Sequence, residues 1–364
     1  MNAAVAAATE HQGRARVALS AALETGPSHA YLFRGPRGAG KRTAARAFAA
    51  EILAAEAADP AEARRRALLA PSPHPDLVWL APRGAQHLVE EVREKVIRAA
   101  AYRPFEGGRR VFVLEAAEAM RDESQNALLK TLEEPPPFAH LILLSSEPEA
   151  LLETIASRCQ PVEFAPLPAT VLEAELAGEG DAAEATAAAR LALGDLERAR
   201  LLLSEPGREL RRQAEGCVAA ALRGAVAAAP WSGLLAGAEA AGEEAEAATR
   251  EALEAEAEAG LKRTAREISE EAKRAGRRRR TEILDLGLEL CALWLRDLGA
   301  LVAGAEEVAF NRDRLEALRA QAGALDLTRA RRGVEAVQET RRGLDLNVSE
   351  QLALEALVFR LAAR

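Results

Sequence analysis

The chain has 364 residues, a formal net charge of −8 and only 4% aromatic residues. This length is typical of two or three domains, and the acidic balance argues against a dedicated, strongly basic DNA-binding module. The three cysteines, Cys159, Cys217 and Cys291, are far apart in sequence, which argues against a disulfide framework or a zinc site. Because we find neither a secretion signal nor an apolar stretch of about 18 residues, we expect a cytoplasmic protein.

Short apolar segments alternate with helical patterns over the first half of the chain. The sequence predicts a single helix over Asn2–Thr25 and another over Lys41–Ala58. One strand is predicted just before a glycine-rich turn at residue 35, and four more at Leu77–Leu80, Val111–Leu114, Leu141–Leu144 and Val162–Phe164. Such alternation indicates an α/β domain with a parallel five-stranded sheet covered on both faces.

The connections carry further local predictions. We expect Ala61–Ala70 to form a short, arginine-rich excursion and Val89–Ala101 to be helical. Asp122 and Gln125 have capping-box spacing, which predicts the start of a helix that Pro135–Pro137 would end.

The second half of the chain predicts helices throughout. We divide the sequence into a sheet domain over 1–167, a small helical lid over 168–208 and an all-α collar domain over 209–364. Within the last, Ile283–Leu301 carries apolar residues at a spacing of three and four, which is typical of one buried helix face.

A charged stretch at 239–280 is acidic at its start and basic at its end, where Arg277–Arg280 lie. We favour a solvated helix with ion pairs between neighbouring turns over a DNA-binding or partner-binding patch.

The glycine-rich turn is the most informative segment of the chain. Gly35, Gly40 and Lys41, with Gly38 between them, fit the phosphate-loop pattern, and a predicted strand precedes them and a helix follows. In such loops consecutive backbone N–H groups surround a polyphosphate, to which the lysine adds a positive charge. ATP or ADP is therefore the ligand that the sequence suggests for this loop.

Two features of the sequence argue against hydrolysis at this loop. Arg42 stands where Ser or Thr usually helps to hold Mg²⁺, and Thr43 comes one place late. The third predicted strand should end in an Asp for Mg²⁺ and a Glu that activates water, but this chain has Glu115 and Ala116 there. Glu118 lies further along and is out of reach if the strand ends normally. We therefore expect no ATPase activity from the chain alone.

Several motifs resemble those of a known family. The most specific are Gln125–Pro136 and Thr154–Cys159, supported by His74–Asp76, Trp294–Asp297 and Leu346–Val348. Together they resemble bacterial clamp-loader subunits of the AAA+ class, most of all the delta-prime subunits of the DNA polymerase III clamp loader. The resemblance covers nearly the whole chain.

The resemblance implies a fold and a division of labour. It implies an AAA+ sheet domain, a helical lid and a helical collar that mediates oligomerisation. In this family a Ser-Arg-Cys motif, here Ser157, Arg158 and Cys159, supplies an arginine finger in trans to ATP bound by a neighbouring subunit. The delta-prime subunit is a stator that does not hydrolyse ATP. Many members carry a four-cysteine zinc module, but Ala54–Asp76 contains no cysteine, so zinc is not expected.

The resemblance also implies binding partners, and two alternative functions remain open. The implied partners are gamma/tau motor subunits and the delta subunit in a hetero-pentamer, the sliding clamp, and primed DNA contacted through its phosphates. An active gamma/tau-type ATPase is the first alternative, and a stand-alone AAA+ DNA-remodelling ATPase is the second. In motor subunits a lid arginine senses nucleotide, whereas here Glu197 takes that place and Arg198 comes one position late.

Overall fold

The computed structural model describes residues 2–69, 72–82, 86–258, 264–323, 325–344 and 348–363. The chain divides into two compact units, Met1–Pro168 and Ala169–Arg364. The predicted lid and collar both fall within the second unit, so the boundary between them at residue 208 stays a prediction.

The first unit contains the predicted parallel five-stranded sheet, which confirms the α/β fold. Its strands are β1 (Ala30–Arg34), β2 (Leu77–Leu80), β3 (Arg110–Leu114), β4 (Ala139–Ser145) and β5 (Gln160–Glu163). Their order across the sheet is β2-β3-β4-β1-β5, and all neighbours pair in parallel.

The helices of this unit cover both faces of the sheet. They are α1 (Ala3–Ala8), α2 (Gly13–Thr25), α3 (Lys41–Ala54), α4 (Pro60–Leu68), α5 (Val89–Glu91, continued as a π-helix over Val92–Arg98), α6 (Asp122–Glu133) and α7 (Glu153–Ala156). Successive side chains of a strand point to opposite faces, so Val111 packs in one apolar cluster and Phe112 in the other. This double burial explains why the central strands β1, β3 and β4 are largely apolar runs. Strand β5 lies at an edge of the sheet, begins at Gln160 rather than at the predicted Val162, and is mostly polar and exposed.

The N-terminal segment was predicted as one helix and is two. The chain turns between α1 and α2 because the side chain of Gln12 bonds to distant backbone groups. Its amide donates to the carbonyl oxygens of Ala39, at 3.0 Å, and Ala165, at 2.7 Å, and accepts from the N–H of Ala165 at 2.9 Å. These tertiary bonds cannot be read from helical periodicity.

Two other local predictions were wrong in their bounds. Helix α3 ends at Ala54 rather than Ala58, and the predicted excursion over Ala61–Ala70 is largely the helix α4. The side chain of Asp59 caps α4 by accepting from two backbone N–H groups, both at 3.1 Å, and Pro60 occupies its first turn. An Asp-Pro pair is a recognised start signal for a helix.

The predicted capping box at Asp122 and Gln125 is also wrong. Asp122 lies inside the first turn of α6, and the residue before it makes no side-chain cap. Gln125 is buried and instead donates to the carbonyl oxygen of Met120 at 3.0 Å and accepts from the N–H of Leu152 at 2.8 Å. It therefore fixes the segment that leads into α7 against α6.

Within its described residues, the second unit contains helices and no strand. The helices are α8 (Ala169–Glu175), α9 (Ala182–Leu191), α10 (Leu196–Leu203), α11 (Glu205–Leu222), α12 (Ser232–Glu258), α13 (Ala265–Val302), α14 (Leu315–Ala322), α15 (Leu327–Leu344) and α16 (Glu350–Ala362). The predicted apolar face of α13 is confirmed, since Leu290, Trp294 and Leu298 are buried. None of the described helices is long and apolar enough to cross a membrane.

Two long helices, α12 and α13, pack closely in this unit. A Cβ atom on Gly276 would lie 2.8 Å from the carbonyl oxygen of Gly242, so the contact requires glycine. Part of the basic stretch forms ion pairs between neighbouring turns, as favoured from the sequence, since Arg278 and Arg279 approach Glu282. Arg280 instead contacts two other helices, through Glu239 of α12 at 2.9 Å and Glu350 of α16 at 2.7 Å.

The motif Trp294–Asp297 of α13 supports a neighbouring loop. Asp297 is fully buried and accepts from the N–H groups of Phe310, at 3.0 Å, and Asn311, at 2.8 Å. Arg296 stacks on the ring of Phe310, with 4.1 Å between its guanidinium carbon and the ring centroid. Leu346 and Asn347, which also carried the family resemblance, lie outside the described residues.

Candidate functional site

The phosphate loop joins the end of β1 to the start of α3, as predicted. Gly35, Gly38 and Gly40 have φ angles of +146°, +68° and +86°, a region that favours glycine. A Cβ atom on Gly35 would lie 2.0 Å from the carbonyl oxygen of Phe164. The loop therefore has the backbone curvature of a phosphate loop, and its glycines are structurally required.

Lys41 is buried and its ammonium group is directed into its own loop. Nζ donates to the carbonyl oxygen of Pro36 at 2.7 Å and to that of Gly35, and it lies 3.4 Å from the hydroxyl of Ser146. Ser146 follows directly after β4, the neighbour of β1 in the sheet. The sequence analysis missed Ser146, although the shared edge of two parallel strands brings it beside the loop.

Arg42 occupies the side of the loop where a metal ion is usually bound. Its Nε lies 2.9 Å from Oε1 of Glu115, and the indole N–H of Trp79 donates to the same oxygen. The guanidinium carbon of Arg46 lies 4.2 Å from the ring centroid of Trp79. Thr43 is exposed. The carboxylate that would face Mg²⁺ is thus already paired with an arginine, so these residues do not fit a Mg²⁺ site.

The chain turns just after β3, where Ala116 has a left-handed backbone conformation. Its φ and ψ angles are 45° and 57°, and its methyl group offers no base for activating water. The turn brings Glu118 back, so that Oε1 accepts from the N–H of Ser146 at 3.1 Å. Glu118 therefore lies closer to the loop than we expected, because β3 does not continue straight into the next segment.

A buried histidine supports this turn from behind. Nε2 of His87 lies 2.7 Å from the carbonyl oxygen of Glu115, and the backbone N–H of His87 donates to the carbonyl oxygen of Ala119 at 3.0 Å. Burial lowers the pKa of His87, and its hydrogen bond to Glu115 only partly offsets this. The imidazole is consequently neutral near pH 7 and has a structural role.

The Ser-Arg-Cys motif lies between α7 and β5. Cys159 is buried, which raises the pKa of its thiol to about 12, so this sulfur is not a nucleophile near neutral pH. The hydroxyl of Ser157 lies 3.3 Å from the carbonyl oxygen of Thr154. Both residues hold the backbone on either side of Arg158, and their roles in a site stay predictions.

Arg158 is the charged, partly exposed member of the motif. One terminal amino group, Nη1, donates to the carbonyl oxygen of Thr154 at 2.9 Å. The other, Nη2, lies 2.7 Å from Oε1 of Glu133, the last residue of α6. The sequence analysis did not single out Glu133.

The structure places Arg158 and the phosphate loop at opposite edges of the sheet. The loop follows the C-terminal end of β1, whereas Arg158 precedes the N-terminal end of β5. These two strands are parallel and pair in register from Tyr31 and Gln160 onward. A five-residue strand spans roughly 15 Å, so Arg158 does not belong to the site formed by the chain's own loop.

Arg198, which was compared above with the nucleotide-sensing arginine of motor subunits, lies in the second unit. Arg198 forms an ion pair in which its Nη1 lies 2.7 Å from Oε2 of Glu289, and both side chains are largely buried. Among the described residues, no group of three or more His, Cys, Asp or Glu side chains could hold a metal ion.

The strand order and the loop together define the class of the first unit. A parallel sheet with β1 between β4 and β5, a phosphate loop after β1 and an acidic residue after β3 is the arrangement of an AAA+ nucleotide-binding domain. Residues 12–168 match the family described as DNA polymerase III, delta subunit. DNA polymerase III subunit delta' from Pseudomonas aeruginosa is 42% identical over 156 residues, which are 41% of this chain and 46% of that protein. The first unit is thus similar to the delta-prime subunits of DNA polymerase III.

Other relatives share the same region. The delta' subunit from Bacillus subtilis is 34% identical over 154 residues, covering 41% of this chain and 46% of that protein. The gamma/tau subunit from Mycobacterium tuberculosis is 38% identical over 164 residues, 44% of this chain and 28% of that protein. The chain thus spans about half, or less, of the length of these relatives.

Solved structures were also matched at low identity. A DNA polymerase III gamma subunit-related protein from Thermotoga maritima covers 96% of this chain and 98% of its own length, with 17% identity and a TM-score of 0.45. At this score the likeness carries no conclusion about function.

Proposed function

We propose that this chain is a non-hydrolysing, delta-prime-type subunit of a bacterial DNA polymerase III clamp loader, which offers Arg158 in trans to ATP on a neighbouring subunit. The observation that carries this proposal is the position of Arg158. It lies at the edge of the sheet opposite the chain's own phosphate loop, so a nucleotide contacted by this arginine belongs to another chain.

The state of the chain's own loop supports the non-hydrolysing part of the proposal. Arg42 pairs with Glu115, and the next residue, Ala116, cannot accept a proton. Relatives named delta' and relatives named gamma/tau both match the first unit, so overall similarity does not separate the two roles. These three residues favour the delta-prime role, and any ATP or ADP at this loop would be bound without turnover.

Arg158 has the chemistry that a finger requires. A guanidinium stays protonated at all physiological pH values and presents a planar fork of donors to phosphate oxygens. Placed against a γ-phosphate, it neutralises the charge that develops during transfer, an effect worth about 10³–10⁵ in rate. The proposed partners are gamma/tau and delta subunits in a hetero-pentamer that places the sliding clamp on primed DNA. The net charge of −8 is consistent with DNA contacts that are shared with the other subunits.

The test begins with ATP hydrolysis by the isolated full-length chain, with and without primed DNA, followed by reconstitution with gamma/tau and delta subunits of the same organism. We expect no turnover alone, a stable complex, and DNA-stimulated turnover in that complex. Arg158→Ala should leave assembly intact and abolish turnover at the facing site.

Arg65→Ala provides a matched control, because Arg65 is also an exposed arginine in an ion pair, with Glu62 at 2.7 Å. Unchanged DNA-stimulated turnover in the Arg158→Ala complex would remove the finger assignment. Robust turnover by the isolated chain would instead establish the second candidate, an active gamma/tau-type ATPase, which the identity to gamma/tau subunits favours.

A further inference from the structure

The ion pair between Arg158 and Glu133 joins two segments that are separately fixed. Glu133 ends α6, whose Leu128 and Leu132 are buried in the core. Arg158 lies between two buried side chains, Ile155 and Cys159. Packing therefore holds the two backbone segments within reach of each other, and Nη2 lies 2.7 Å from Oε1.

The adjacent carboxylate differs from Glu133 in one respect. Glu134 is also exposed and lies just after α6, but within the described residues its carboxylate has no hydrogen-bonding or ionic partner. The same two-residue acidic segment thus offers one carboxylate that contacts the arginine and one that does not.

We propose that Glu133 is a positioning residue, which keeps Arg158 in an ion pair until the γ-phosphate of a nucleotide on the partner subunit replaces the Glu133 carboxylate. We call this the parking role of Glu133. This inference rests on the proposed function, because it assumes that Arg158 acts in trans. Both terminal amino groups of the arginine are already engaged, one by the carbonyl of Thr154 and one by Glu133. A phosphate that approaches the edge of the guanidinium formed by these two amino groups therefore competes with the carboxylate.

The exposure of the pair makes this exchange easy. The side chains of Arg158 and Glu133 are 36% and 49% exposed, and exposed pairs of this kind are weak because water screens them. The γ-phosphate carries more charge than a carboxylate and more acceptor oxygens. Glu133 thus lowers the affinity of the free finger for nucleotide by a small factor and prevents the arginine from pairing elsewhere on the surface.

The experiment measures association of the full-length chain with a gamma/tau subunit of the same organism, loaded either with ADP or with a non-hydrolysable ATP analogue. The ratio of the two dissociation constants reports the contact with the γ-phosphate. In Glu133→Gln we expect this ratio to grow about two- to fivefold, through tighter binding of the ATP-analogue form alone. Glu134→Gln, the matched control, should leave the ratio unchanged.

A double variant separates the two proposals. In an Arg158→Ala background, Glu133→Gln should have no effect on the ratio, because the carboxylate acts through the arginine. A ratio unaffected by Arg158→Ala itself would overturn the proposed finger, and the parking role with it. A ratio lowered by Arg158→Ala but unmoved or reduced by Glu133→Gln would overturn the parking role alone.

Discussion

Two of the arginine–glutamate pairs in the first unit, Arg42–Glu115 and Arg158–Glu133, belong to sites with different properties. In the phosphate-loop region, the side chain of Glu115 is only 16% exposed and receives both Arg42 and the indole of Trp79. At the Ser-Arg-Cys motif, the side chain of Glu133 is 49% exposed and holds Arg158 by one contact. The side chain of Arg42 is itself 65% exposed, so the difference between the two pairs lies in their carboxylates. Glu115 is mostly buried and has two donors, whereas the exposed Glu133 can exchange its single partner readily.

The largest expected effect concerns the reactivity of Cys159, the buried cysteine of the Ser-Arg-Cys motif. The pKa of Cys159 is raised from 9.0 to about 12 by burial, a difference of three units, so the thiolate fraction near pH 8 is about 1,000-fold below that of an exposed thiol. We expect iodoacetamide to alkylate Cys159 in the native chain at least that much more slowly than in urea. Peptide mass spectrometry over time would measure this rate, and fast native modification would show that the motif is less packed than described.

The same shift predicts a pH dependence with a definite sign. The folded chain keeps the proton of Cys159 up to about pH 12, while the unfolded chain releases it at an ordinary pKa. Stability from this group is therefore complete below the unfolded pKa and is lost as pH rises toward the folded value. Cys159→Ala should flatten the decline of the free energy of unfolding above pH 9, whereas a slope equal to that of the wild type would contradict the shift.

The next largest effect should be on ATP turnover, when Arg158 of the exposed pair is replaced by lysine. Arg158→Lys keeps a positive charge but loses the planar fork of donors. In the reconstituted complex we expect turnover at the facing site to fall about a hundredfold, short of the 10³-fold minimum for a complete loss of such a finger. Steady-state ATP hydrolysis with primed DNA would measure it. Near-normal turnover would mean that the ATP site on the neighbouring subunit needs only a positive charge at this position. The donor geometry of Arg158 would then have no special role.

The backbone at Ala116 should give a smaller, stabilising effect. A non-glycine residue in the left-handed region costs about 1–2 kcal/mol, part of which glycine returns through its freedom when unfolded. Ala116→Gly should therefore raise the free energy of unfolding by about 0.5–1 kcal/mol in urea titrations. Ala229, which also has a φ of 45°, provides an independent test, because Ala229→Gly should stabilise by a similar amount. Destabilisation by both glycines would show that the two turns are not strained.

The smallest effect should come from the phosphate loop itself. The ammonium of Lys41 donates to carbonyl oxygens of its own loop, and Arg42 pairs with Glu115. Lys41→Ala should change DNA-stimulated turnover of the complex by less than about twofold, if the variant remains folded by circular dichroism. A loss comparable to that of Arg158→Ala would show that the loop does bind a nucleotide that the complex needs.

The sheet could be predicted from the sequence because four of its five strands are short, largely apolar runs bounded by turns, as burial within a covered sheet requires. The bounds of the edge strand β5 were predicted less well because most of its residues are polar or exposed. The phosphate loop could be located for a related reason, since its glycines and lysine are contiguous in the chain. The positions of Arg42 and Ala116 already indicated a defective site. What the sequence did not reveal is that Arg42 is paired with Glu115, a contact across 73 residues.

The errors have a common physical cause. Gln12 breaks the N-terminal helix through bonds to Ala39 and Ala165, the second of which is 153 residues away. Gln125 has the spacing of a capping residue but bonds across to Leu152. Glu133 and Ser146 also acquire their significance from neighbours distant in sequence. Local propensity is uninformative where a polar side chain bonds to backbone brought close only by the completed fold.

Arg158 and the phosphate loop lie at opposite edges of the sheet, so the two sides of the first unit offer a partner different groups. A protein that presents an arginine at one edge and a phosphate loop at the other associates head to tail, and repeated contacts of that kind generate rings or open spirals. Here the loop edge is closed by the pairing of Arg42 with Glu115. In the proposed assembly this chain can donate an arginine but has no use for one, so it can only stand at one end of the series. Its presence would therefore set the polarity of the array and terminate it at one end.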